Sequence, residues 1–136
     1  MVEMELSKIV IDEKRHDQLI ALKEKGGSRV LPIVIGLNEA SAIKLKISGF
    51  NPPRPLTHDL IYLMLQDLNA RVEKIVIDKL EENTFHAKIV IRTATQELKT
   101  IDARPSDSIA LAVRFHAPIF VEDAIIKQSQ VFNKDK

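Results

Sequence analysis

Residues 71–93 read RVEKIVIDKLEENTFHAKIVIRT, and the fold class turns on how that run is parsed. Before Glu81-Glu82-Asn83 stand Val72, Ile75 and Ile77; after it Phe85, Ala87, Ile89 and Ile91 alternate with polar residues. A period of two marks half-buried strands, and a short polar link between two such runs predicts a hairpin. Hairpins join antiparallel strands, so this chain is not a series of strand–helix–strand crossovers. Its class is α+β.

Downstream of the hairpin, Gln96 to Ala103 predicts a further strand, and Ser106 an N-cap for a helix over Asp107 to Phe115. Ile119 to Val121 follows Pro118 as a short strand, and Asp123 to Ser129 as a helical turn or two. Upstream, Glu3 to Asp12, His16 to Lys25 and Arg29 to Ile35 read as strands, with a helix the competing reading of the second, since Leu19, Ile20, Leu22 and Lys23 also suit one. Pro32 lacks an N–H, which confines the third of these to a sheet edge or a bulge. Asn38 is the expected N-cap of a helix over Glu39 to Ile47 that Gly49 closes. Prolines 52, 53 and 55 exclude regular structure before Thr57, the expected cap of the next helix.

That helix is apolar almost all round from Leu60 to Leu68. Such a helix is buried on several sides, by its own domain or by a second subunit, so a homo-oligomer is expected, a dimer by default. Each half of the chain ends in a strand that holds or abuts proline, followed by a helix rich in Ala and Ile, as a duplicated unit would. The architecture expected is a barrel-like, mostly antiparallel sheet of about six to seven strands with three main helices packed outside. It forms a single domain over 1–132 with a disordered tail at 133–136.

A chain of 136 residues has one-domain length. It contains no cysteine, which excludes a disulfide framework, thiolate metal sites and a cysteine nucleophile. The opening Met1-Val2-Glu3-Met4-Glu5 is acidic where a signal peptide needs basic residues, and no apolar run approaches a membrane span. A cytoplasmic location without a membrane partner is the expectation. A net charge of +1 and 4% aromatic residues lend no support to a basic stripe or a base-stacking platform. GxGxxG, P-loop, GxSxG and HExxH signatures are absent.

Two short segments concentrate reactive groups. Arg54-Pro55-Leu56-Thr57-His58-Asp59 joins a guanidinium, a hydroxyl, an imidazole and a carboxylate at a helix opening, where backbone N–H groups favour an anion such as phosphate. Arg54 adds a bidentate donor, and imidazole is the group suited to proton transfer near neutrality. Asp102-Ala103-Arg104-Pro105-Ser106-Asp107 repeats that logic, and its two acids, with Asp59, offer oxygen ligands for Mg²⁺ or Mn²⁺. The ordinary reading stands beside the chemical one: Thr57, Asp59, Ser106 and Asp107 also suit capping, Arg54 pairing with a carboxylate, and Asp102 pairing with Arg104 or Arg114; Glu39, a candidate third acid, better suits first-turn placement against the dipole. His16, His86 and His116 are isolated, and no histidine pair has metal-ligand spacing.

Taken together, Arg29-Val-Leu-Pro-Ile-Val-Ile-Gly36, Arg54 to Leu60, Asp102 to Ala110 and Pro118 to Val121 resemble the bifunctional nuclease domain family, in order and in spacing, over about Glu5 to Val121. Ser108 stands where alanine is common. The resemblance implies an α+β domain on a barrel-like sheet that hydrolyses DNA and RNA. Onto it we carry Arg54, Thr57, His58, Asp59, Asp102, Arg104, Ser106 and Asp107 as members of the matching motifs. On that reading His58, Asp59, Asp102 and Asp107 are catalytic, with the three acids as metal ligands. Arg54, Thr57, Arg104 and Ser106 hold the substrate. A non-catalytic oligomeric binding or regulatory module is the alternative. The catalytic reading requires the two Arg-Pro openings to meet in an open cleft.

Overall fold

The structure, a computed structural model, describes residues 1–12, 14 and 17–134, those from 130 onward by backbone alone. Seven strands, β1 (Val2–Val10), β2 (Gln18–Glu24), β3 (Val30–Ile35), β4 (Arg71–Glu81), β5 (Thr84–Arg92), β6 (Leu98–Ala103) and β7 (Ile119–Val121), form one curled half-barrel sheet in the order β3-β2-β1-β7-β4-β5-β6. Four helices accompany it: α1 (Leu37–Ile47), α2 (Thr57–Asp67), α3 (Pro105–Phe115) and α4 (Asp123–Lys134).

The expected α+β class and mostly antiparallel sheet are both present. The order places one antiparallel meander, β1 to β3, on one side of β7 and a second, β4 to β6, on the other. Only β4 and β7 run parallel, held in register by Ile75 opposite Ile119 and Ile77 opposite Val121. All four of those side chains are buried. β3, with Pro32, lies at the edge as its missing N–H requires. The hairpin turn is tighter than the expected loop. β4 continues through Glu81, and Glu82 and Asn83 alone turn the chain, at φ 52° and 62°.

Ile20, Leu22, Leu31 and Ile33 from the first meander and Ile75, Ile77, Ala87 and Ile89 from the second share one core with Ile43 of α1 and Ile109 of α3. α1 packs on α3 and β2, α3 on β4 and β5, α4 on β3 and β4, and α2 on α3. α4 is longer than the turn or two expected. The tail expected at 133–136 begins inside it, and residues 135 and 136 lie outside the described residues, as does His16.

Two further expectations change. On α2 only His58 is fully buried; Ile61 and Leu65 pack in part against the core, while Leu60, Leu63, Met64 and the C-cap Leu68 are exposed, so the domain leaves one face of this apolar helix uncovered. The N-caps are Gly36, Leu56 and Arg104 rather than Asn38, Thr57 and Ser106, and none makes a side-chain capping bond. Pro105, fixed near helical φ and lacking an N–H, takes the first position of α3 and leaves Ser106 at the second, two places past the N-cap. Among the described residues no helix is long and apolar enough to cross a membrane.

Candidate active site

Strand β3 runs directly into α1 and β6 directly into α3, and because α1 packs on α3, their first turns come close together. The opening of α2 joins them. His58 Nε2 lies 2.9 Å from Asp107 Oδ1, across 49 residues of chain. Arg104 Nε donates to Asp107 Oδ2 at 2.9 Å, and its Nη2 lies 3.2 Å from Glu39 Oε1. Imidazole, carboxylate, guanidinium and carboxylate thus form a continuous chain at one end of an open cleft of about 1000 Å³. The two Arg-Pro openings meet.

The cleft has a polar end and an apolar body. Glu39, Thr57, His58, Arg104 and Asp107 line the first; Ile61 and Leu65 of α2 face Ile89, Ile91 and Ile101 of the sheet in the second. Burial acting alone would raise the Asp107 carboxyl, but hydrogen bonds from His58 and Arg104 outweigh it and hold the group below its ordinary range. Asp107 is therefore the ionised acceptor and His58 Nε2 carries the proton between them. Nδ1 is left as the nitrogen able to take another. Arg104 is held charged, first by its bond to Asp107 and then by that carboxylate's field, with Glu39 adding to both. Glu39 folds back against Gly36 so closely that a side chain at Gly36 would displace it.

Other predicted site residues do not join this group. Asp59, one residue from His58, turns away: its Oδ1 accepts from Arg114 Nε at 2.8 Å and its Oδ2 from the Leu56 N–H at 3.0 Å. Burial tends to raise Asp59 too, and those two bonds bring it below its ordinary value. Asp102 points to the opposite face of the sheet from its neighbour Ile101, which lines the cleft, and pairs with Lys88 at 3.0 Å. Ser106 is buried beneath the opening of α3. Arg54 is exposed just before the cleft-lining Pro55 and has no ion-pair partner among the described residues.

Asp59, Asp102 and Asp107 therefore do not fit a shared divalent cation. Each is bound to a different cation of the protein, and among the described residues no group of three or more His, Asp or Glu side chains is placed to hold a metal. Sequence reasoning assigned Glu39 to the helix dipole and missed it as a partner of Arg104. Arg114, expected as a partner of Asp102, instead turns its buried guanidinium to Asp59 and to the carbonyls of Ala110 and Ala42, at 2.7 and 3.4 Å. A basic residue in the last turn of a helix gives no sign of partners in two other helices.

A family model for the bifunctional nuclease domain matches residues 19–134. An uncharacterized protein of Mycobacterium tuberculosis is 38% identical over 136 residues, all of this chain and 80% of that one. Bifunctional nuclease 1 of Oryza sativa subsp. japonica is 23% identical over 116 residues, which are 84% of this chain and 35% of that protein. Bifunctional nuclease 1 of Arabidopsis thaliana is 23% identical over 112 residues, 81% of this chain and 34% of its own. The chain thus spans about a third of the length of these plant relatives.

Proposed function

Since the chain belongs to the bifunctional nuclease domain family, we propose that it hydrolyses phosphodiester bonds of single-stranded DNA and RNA in the cleft between α2 and the β4–β6 meander. The observation that carries this reading is the His58–Asp107 pair, a tautomer-fixed imidazole at the end of a cleft. Asp107 holds Nε2–H, and Nδ1 takes a proton from the attacking water as its oxygen bonds to phosphorus. The same nitrogen returns the proton to the departing oxygen as the P–O bond breaks. Arg104 braces Asp107 and Glu39 and so positions the imidazole. One guanidinium between two carboxylates leaves an excess of negative charge when His58 is neutral, so Arg54, beside the cleft-lining Pro55 and free of any ion pair among the described residues, supplies the grip on the phosphate. The isoleucine floor suits the apolar faces of unpaired bases and not the charged outside of a duplex. No step is routed through a divalent cation, because the three acids do not share a site.

The test is hydrolysis of single-stranded DNA and RNA by purified wild type and variants. His58→Ala should lose about 10²- to 10⁴-fold in kcat. Asp107→Asn should fall in the same direction, whereas Asp102→Asn, altered on the far face of the sheet, should match wild type. His58→Ala protein as active as wild type would end the proposal.

A second reading, a non-catalytic oligomeric module, is favoured by the exposed apolar face of α2. Association through that face is compatible with catalysis, and the His58→Ala assay separates the two readings.

A further inference from the structure

The two edges of the sheet are not alike. β3 carries Pro32 and has α4 packed against it, and both keep an edge from pairing. β6, at the other edge, has no proline and runs along β5 without a register shift. Every residue of it except Ala103 is exposed, Leu98 and Ile101 among them. At the head of its hairpin the Thr93 N–H donates to the Glu97 carbonyl at 2.8 Å. Antiparallel pairs alternate between bonded and unbonded, so Lys99, Ile101 and Ala103 spend their backbone groups on β5. Those of Leu98, Thr100 and Asp102 point off the sheet and meet no strand among the described residues. α2 leaves its apolar face on the same side. Tyr62 lies against Phe115 of α3, with ring centroids 4.6 Å apart. One step round the helix, Ile61 and Leu65 face the sheet across the cleft; a further step, Leu60 and Met64 face away from α3. Because α3 covers β4 and β5, that direction is toward β6. The open strand and the apolar stripe flank one mouth of the cleft.

We propose that a second copy of the chain docks at this mouth across a twofold axis normal to the sheet, β6 antiparallel to β6, so that the sheet runs on through the dimer and the two α2 stripes pack over the join. Such an axis preserves the faces of the sheet, so it must pass through a residue paired with itself. An axis at Lys99 or Asp102 opposes like charges, and one at Thr100 sets Lys99 against Ile101 and Asp102 against Leu98. Axes at Leu98 or Ala103, the ends of the strand, overlap too little of it. An axis at Ile101 sets isoleucine against isoleucine on the cleft face, Lys99 against Ala103, and Thr100 against Asp102, whose outward backbone groups then bond in pairs. Ile101 lines the cleft, so each copy adds a residue to the floor at the mouth of the other's cleft and closes the side left open. The inference needs no catalytic reading of that cleft.

The chain has no cysteine, so a single introduced thiol reports its own twofold contact. Residues opposite each other in an unbonded antiparallel pair have Cα atoms about 4.5 Å apart, within reach of a disulfide. Ile101→Cys protein at micromolar concentration, treated with a mild oxidant, should run as a linked dimer on a non-reducing gel. Val34→Cys, also exposed but on the β3 edge, should run as a monomer. Thr100→Pro deletes an outward N–H and no bond to β5. Added to Ile101→Cys it should abolish the link, and alone it should sediment as a monomer where wild type sediments as a dimer. Circular dichroism checks that the proline variant is folded; if it is not, the cysteine variants decide by themselves. Ile101→Cys that links no faster than Val34→Cys would overturn the interface, as would folded Thr100→Pro that remains a dimer. Thr100→Cys that links in preference to Ile101→Cys would overturn the register.

Discussion

Asp59 and Asp107 occupy the same position, three residues past the N-cap of their helices, yet one braces the fold and the other faces the cleft. What separates them is the cation each meets. Arg114, 3% exposed at its side chain, spends three N–H groups inside the protein, one of them on Asp59. Arg114→Ala strands a partly buried carboxylate and two carbonyls, so it should cost about 3 kcal/mol in a urea titration. Asp107, about as exposed, bonds instead to His58 and Arg104 at the cleft. Both carboxyls are held below their ordinary 3.8 in the folded protein, and the unfolded chain therefore takes up protons first as pH falls. The stability they contribute is full above that ordinary value and is lost as pH drops through the depressed folded values. Asp107→Asn should narrow the stability gap between about pH 6 and about pH 3 measured by denaturant midpoints, and a gap of unchanged width would refute the assignment. The residue types at these positions were legible in the sequence. Their pairings were not, because Asp59 and Arg114 lie 55 residues apart and His58 and Asp107 49, distances over which no local pattern operates.

The β4–β5 hairpin was readable in the sequence since alternation and turn composition act over a few residues. Its turn shows where that reading stops. Glu82 and Asn83 both take positive φ, the geometry of a two-residue type I′ turn, and glutamate is a poor occupant of it. Replacing the pair with Asn-Gly should raise stability by about 0.5–1 kcal/mol, read as a higher thermal midpoint. Helix openings were misread for a related reason. Thr57 and Ser106 look like caps by composition, but the extended residue before each helix is set by the prolines and by the strand or loop that delivers the chain. One position past the cap at Thr57 and two at Ser106, the hydroxyl loses its capping role. Asp102 went astray through a simpler omission, since counting along β6 from Ile101 places it on the far side of the sheet.

At the scale of the molecule, the order β3-β2-β1-β7-β4-β5-β6 reads the same from either edge: a meander, a central strand, a meander, with a helix issuing from each outer strand. That repetition brings the first turns of α1 and α3 together and creates the site between them. α2 has no counterpart in the second half, and it is the element the sheet fails to cover. Ile61 and Leu65 turn to the cleft, while Leu60, Met64 and Leu68, four residues apart, form an apolar stripe that is 47%, 56% and 69% exposed. Leu63 and Phe50 widen it. A patch of this kind on a small domain marks an association surface, and we propose that a second copy of the chain covers it. Met64→Lys tests that without touching the cleft. Sedimentation velocity should show wild type as a dimer at micromolar concentration and the variant as a monomer. The monomer's unfolding free energy should lie within about 0.5 kcal/mol of the wild-type monomer, as for any exposed position. Wild type that sediments as a monomer would leave the stripe without its partner. It would also remove the second subunit as the cover that α2's sequence called for.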